Sequence, residues 1–230
     1  MAHEKHSGGT GSRLRDVILG GQDGLVNVLG VVLAVASATS DARIVIIAGL
    51  AATFAESISM AAVAYTSFKA ERDFYRSELE REKYEIRHMP GQERKEVRDI
   101  YYRKGFRGRL LSQIVRKITS KKRLWLDVMM KEELNLYEDG TTTPGRDALI
   151  VGMSAVVGSL IPLVSFIVMP VGDAIFASVG ISAVALFITG AIKAMITIGN
   201  WIVSGIEMAA IGMAAALVGY GLGAVIGAAV

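Results

Sequence analysis

Five stretches of about twenty apolar residues constrain this chain more than any other feature, at residues 17–38, 44–68, 148–169, 174–192 and 201–229. A helix of that length matches the roughly 30 Å hydrocarbon core of a bilayer. Five such lengths in 230 residues leave too little polar surface for a soluble core. Mean hydropathy is +0.42, yet a fifth of the residues are charged, so charge and apolar sequence must be segregated. They are: 20 of the 25 Lys and Arg lie between Lys69 and Arg146.

The chain is therefore expected to be all-α, a polytopic membrane protein with five transmembrane helices and a cytoplasmic three-helix domain inserted between spans 2 and 3. The expected divisions are a flexible amino terminus (1–15), two spans (16–68), the polar domain (69–145) and three spans (146–230). No removable signal peptide is expected from the polar opening MAHEKHSGGTGS. Basic residues flank the polar domain and precede the first span, whereas the first turn between spans holds only Arg43. The amino terminus and the polar domain should then be cytoplasmic. The net charge of +3 comes from bases interleaved with acids, and the positive-inside pattern accounts for them without a nucleic-acid partner. With no cysteine, disulfides, zinc ribbons and Fe–S clusters are excluded.

Within the polar domain, one helix should continue from the second span through Arg87 and stop at Met89-Pro90-Gly91. A second is expected over about 92–104 and a third over about 109–137. So few apolar residues belong to this domain that packing against a second copy, a homodimer, is expected.

Ionisable groups inside apolar spans are costly and are functional candidates by default. Asp23 and Asn27 sit one turn apart on the first span, Glu56 and Met60 one turn apart on the second, and Glu207 and Met208 lie on the fifth. Together they suggest a lined path for a cation, although each alone also fits a structural interhelical hydrogen bond. Asp147 and Asp173, at span ends, read as helix caps. Carboxylates beside thioethers favour an iron-like divalent ion over calcium.

In the polar domain, Glu78, Glu82 and Glu85 share one helical face, Glu93 and Glu96 another, and Met129 and Glu133 a third. Spacing leaves two readings open: a solvated face of Glu–Lys pairs, which EREKYE composition favours, or ligands aimed at one point. Glu85-x-x-His88 has the form used in di-iron bundles, but no second such motif exists, so an oxidase is not expected and neither is any enzyme. No phosphate-binding G-x-x-x-x-G-K-[ST] loop is present, so transport would run on an ion gradient or another protein's ATPase.

The DGLVN of the first span, the SMA of the second, R-E-K-x-E-I with its following P-x-x-E turn, WLDVMMKEEL, and SLIPL of the third span together resemble the vacuolar iron transporter family. The resemblance covers nearly the whole chain. It implies a homodimer with five spans per subunit, a path at the dimer interface, a cytoplasmic metal-binding domain, and export of Fe2+ from the cytoplasm against inward protons. It places Asp23 and Met60 in the path and makes Glu82, Glu85, Glu93, Glu96, Met129 and Glu133 metal ligands. One departure stands out. Many relatives follow SMA with glycine and glutamate on the second span, where this chain has Val63 and Ala64. Glu56, on the other side of Met60, is expected to supply that carboxylate, with Glu207 as a further relay.

The expected function is a divalent-metal transporter, Fe2+ or Mn2+, working by proton antiport, with no prosthetic group. Competing readings are a membrane-anchored metal buffer or sensor without flux, and a channel. The expected membrane is the plasma membrane of a prokaryote or the vacuole of a eukaryote.

Overall fold

A computed structural model describes residues 8–137, 143–197 and 199–229. The described residues form α1 (Gly8–Ala38), α2 (Ala42–His88), α3 (Pro90–Arg103), α4 (Gly108–Thr119), α5 (Lys122–Val128), a π-helical turn (Met129–Glu133), α6 (Pro144–Val168), α7 (Val171–Ile196) and α8 (Trp201–Ala229), with no strand among them. Five helices, α1, α2, α6, α7 and α8, are long and apolar enough to cross a membrane. The chain divides into two compact units, one of residues 1–66 with 143–230 and one of residues 67–142. Helix α2 runs through that division without a break.

In the first unit α1 lies between α6 and α8, and small residues let the backbones meet. A Cβ added at Gly158 would sit 1.9 Å from the Gly21 carbonyl oxygen, and one at Gly24 would sit 2.4 Å from that of Ala155. Such approaches exclude any side chain and supply the close packing that replaces hydrophobic driving force in lipid. Neighbours rise together along α1 and α6 (Gly20 with Val151, Gly24 with Ala155) and along α1 and α8 (Gly30 with Gly219, Ala34 with Gly223), so these three helices run parallel. On α2 the order reverses: Gly49 meets Leu163 and Ser57 meets Gly152. Val28, Leu29, Val32 and Leu33 are buried at the centre. Ile47, Ile58, Phe176 and Leu217, by contrast, are each more than two-thirds exposed, which suits hydrocarbon and not water.

Helix ends follow local chemistry. Asp41 Oδ1 accepts the Arg43 N–H (2.8 Å) at the start of α2. Pro144 opens α6, where its missing N–H costs nothing. Asp147 is not the N-cap expected: Thr143 holds that place, and Asp147, in the first turn, reaches back with Oδ2 to accept the Thr143 N–H (2.8 Å). Asp173 is likewise not a cap: Pro170 precedes α7, and Asp173 stands in the first turn, where a carboxylate suits the helix dipole. Pro162 lies inside α6, and the Ser178 hydroxyl of α7 donates to its carbonyl at 2.9 Å.

Two further expectations need correction. Helix α1 begins at Gly8, inside the stretch 1–15 expected to be a flexible terminus; residues 1–7 lie outside the described residues. The third polar helix is not continuous over 109–137. It stops at Thr119, where the Ser120 hydroxyl turns back to the Lys117 carbonyl (2.8 Å) and Lys121 takes an extended backbone. The break lets Ile118 of α4 and Trp125 of α5 both enter one small core with Ile86, Val97, Val128 and Met129.

Candidate metal centre

In the second unit the Met89-Pro90 turn folds α3 back against the end of α2. Met89 leaves the helical region at φ −126°, and Pro90 supplies the first residue of α3. Val97 and Ile86 then pack together, and that packing sets the rotation of both helices. Glu82 and Glu93 are carried inward on the same side, 2% and 1% exposed. One ligand oxygen each from Glu82, Glu85 and Glu93 lies within 4.8 Å of the others. An ion holding carboxylate oxygens at about 2.1 Å needs them no more than about 4.2 Å apart, so a small side-chain adjustment closes the set.

Glu82 Oε2 and Glu93 Oε2 are buried with no hydrogen-bond partner. Orphaned carboxylate oxygens are expensive unless a proton or a cation meets them. Burial pushes the Glu82 carboxyl up to about 7, with the charges of Glu133 and Glu85 adding and Arg81 opposing. Burial likewise pushes Glu93 up to about 8, reinforced by Glu96, Glu82, Glu85 and Glu133. Glu133 is exposed over much of its surface, yet lost solvent around its carboxyl and the charges of Glu96 and Glu85 raise it too. Five carboxylates thus act on one another in a small volume, and a divalent cation is the natural counter-charge.

Other candidates fall into different surroundings. Arg81 spans Glu78 and Glu85 at 3.3 Å each, and Glu78 lies outside the close trio. Glu80 pairs with Lys83 at 2.6 Å, which is the solvated-face pattern, on the outward side of the same helix. Glu96 accepts from the Gln92 amide at 3.2 Å. Met129 is fully buried in the apolar core. His88 turns its Nδ1 to the Tyr84 carbonyl (2.8 Å) and stacks on that ring, away from an E-x-x-H role.

In the membrane unit the carboxyl of Glu56 lies within hydrogen-bonding reach of Asp23 and Asn27. Asp23 is half-buried and Asn27 exposed, so the group sits at the edge of the five-helix packing. Met60 is half-buried one turn further along α2. Glu207 is exposed on α8 and is not among the groups acting on Glu56, while its neighbour Met208 is buried. One residue escaped the sequence reading: Asp16, 2% exposed and within electrostatic range of Asp147. Its signal was available, because Asp16, Gly20, Asp23 and Asn27 recur at i, i+4, i+7 and i+11, one face of a helix.

A sequence model of the VIT family matches residues 14–224. The chain belongs to the VIT family. Curated VIT relatives include vacuolar iron transporter 1 of Eucalyptus grandis, 33% identical over 213 residues (92% of this chain, 86% of that protein). Vacuolar iron transporter 1 of Arabidopsis thaliana is 34% identical over 224 residues (97% and 89%). The vacuolar iron transporter of Plasmodium falciparum is 32% identical over 223 residues (93% and 82%). The VIT match includes both the acidic trio and the Asp23–Glu56 group.

Proposed function

We propose that this protein carries a divalent transition metal, Fe2+ or a similar ion, across a membrane and out of the cytoplasm in exchange for protons. The observation that carries the reading is the trio of Glu82, Glu85 and Glu93, with two buried oxygens that lack any donor. Kinship to proteins named vacuolar iron transporters supports iron as the cargo.

In this reading the polar unit faces the cytoplasm. Glu82, Glu85, Glu93, Glu96 and Glu133 collect the metal there, with Met129 as a softer donor. Asp23, Asn27, Glu56 and Met60 form the intramembrane station, at the interface of a homodimer. Antiport has a direct chemical basis, because a carboxylate oxygen cannot hold a proton and a metal at once. Protons arriving from the far side would displace the ion, and metal arriving from the cytoplasm would displace protons. Glu207, exposed on α8, stands as a secondary relay.

The test is Fe2+ flux into proteoliposomes with and without an imposed pH gradient, comparing wild type with Asp23→Ala. Gradient-driven flux lost in the variant is expected. Flux indifferent to the gradient would remove antiport, and saturable binding without flux would turn the protein into a buffer or sensor.

A further inference from the structure

A second charged feature of the polar unit has no part in metal binding. Between α3 and α4 lies a groove of about 440 Å³ whose walls carry Arg94, Arg98 and Arg116. Its floor includes Leu111, which is buried, and Thr119 and Ser120 lie along its rim. The lining contains no carboxylate. Among the described residues, none of these three arginines has an acidic partner within salt-bridge distance, although Glu78, Glu80, Glu85, Asp127 and Glu132 all find basic partners nearby. The three guanidinium groups are exposed around one concavity, so solvent screens their repulsion, but an anion between them meets three charges of one sign.

The arrangement is partly fixed in advance. Arg94 and Arg98 are one turn apart on α3, so they share a face. Arg116 opposes them from α4. The Arg94 guanidinium rests 5.7 Å above the centre of the Trp125 ring, and that ring is itself 4% exposed. An aromatic platform of this kind orients the planar fork and lowers the entropy lost when it binds. All three cations are arginines, whose paired N–H donors match the oxygens of a tetrahedral phosphoryl group. The hydroxyls of Ser112 and Ser120 are committed to the carbonyls of Gly108 and Lys117, so the arginines supply the charge and most of the donors.

We infer that the groove formed by Arg94, Arg98 and Arg116 is a phosphate-recognition site, filled by a soluble phosphoanion or by the headgroup of an anionic lipid. It lies on the side of α3 that carries Arg94 and Arg98, whereas Glu93 is turned into the acidic cluster. One helix thus presents a cation site and an anion site on different faces.

The test uses the full chain in zwitterionic nanodiscs, in metal-free buffer, with Tm as the readout. One arm adds pyrophosphate; the other replaces part of the phosphatidylcholine with phosphatidylglycerol. At about five times the dissociation constant a bound ligand should raise Tm by about 2–4 °C. Arg98→Gln/Arg116→Gln should abolish that shift, while Arg76→Gln/Arg87→Gln, with equal charge removed outside the groove, should keep it. A shift in the pyrophosphate arm identifies a soluble ligand, and one in the phosphatidylglycerol arm identifies a lipid. No shift in either arm, or a shift that survives Arg98→Gln/Arg116→Gln, overturns the site.

Discussion

Glu82 on α2 and Glu93 on α3 each turn Oε2 into an interior that offers it no donor, and each carboxylate also brings an oxygen to one set that lies within 4.8 Å. Their raised pKa values near 7 and near 8 fix the sign of two pH effects. Folding favours the protonated acids, so their stabilisation is complete below the unfolded value near 4.5 and is lost as pH rises through about 7 to 8. Thermal unfolding of the metal-free protein should therefore show Tm falling from pH 5 to pH 8.5, and Glu93→Gln should flatten that fall. Metal binding runs the other way. Affinity should rise with pH by up to about tenfold per unit for each proton displaced, counted by calorimetry in buffers of different ionisation heat.

Met129 allows packing and ligation to be separated. It is fully buried against Ile86, Val97 and Trp125. Met129→Ala should destabilise the polar unit by about 2–5 kcal/mol through the cavity it leaves. Met129→Leu keeps the volume and should cost less than about 1.5 kcal/mol. If the sulfur is a ligand, Met129→Leu will still weaken Fe2+ binding while leaving Mg2+ binding unchanged. Equal affinity for Fe2+ in wild type and Met129→Leu would make Met129 a core residue only.

Glu56 should be a working member of the intramembrane station, since its carboxyl reaches both Asp23 and Asn27. Glu56→Gln keeps the shape and removes the charge. Fe2+ flux should fall at least about tenfold, the effect of losing about 1.4 kcal/mol of ion binding in the transition state. Glu207→Gln should fall less, because that side chain is exposed on α8. Normal flux and normal pH dependence in Glu56→Gln would remove Glu56 from the path and leave Asp23 as the acid of the intramembrane station.

The α1–α6 contact predicts a steric effect far larger than the size of the change. A methyl at position 158 would meet the Gly21 carbonyl oxygen at 1.9 Å, and backbone cannot rotate aside as a side chain can. Gly158→Ala should cost about 1–3 kcal/mol, measured as loss of thermal stability in detergent. Gly172→Ala, in a helix with open space around it, should be neutral or stabilise by up to about 1 kcal/mol.

How much of this was legible in the residues differs between the units. Apolar length placed all five membrane helices, because spanning lipid imposes a minimum that no tertiary context relaxes. The pairing of Asp23 with Glu56 was less accessible. Each acid could be put on a helix face, but which faces meet depends on packing of glycines such as Gly24 and Gly49 against neighbouring helices. In the polar unit, spacing put Glu78, Glu82 and Glu85 on one face without distinguishing them. Their fates diverged through the fold-back of α3 at Pro90, which brings Glu93 beside Glu82 and Glu85 but not Glu78, and through the Ile86–Val97 core, beside which Glu82 is buried. The break at Ser120 was hidden because Ile114, Ile118, Trp125 and Val128 fit a single helical period as well as two shorter helices sharing one core.

The turn at Met129–Glu133 has a consequence for how the cluster tolerates change. Its hydrogen bond runs from the Leu134 N–H to the Met129 carbonyl (3.2 Å), one residue wider than an α-helical step. That surplus residue buries Met129 and Met130 in succession and still delivers Glu133 to the other acids. Register, more than side-chain identity, decides where Glu133 points. Deleting a single residue from this turn would restore ordinary winding and remove the surplus residue, so that Met129, Met130 and Glu133 could not all keep their present places. The cluster is thus more vulnerable to a lost codon here than to most substitutions in the same five positions.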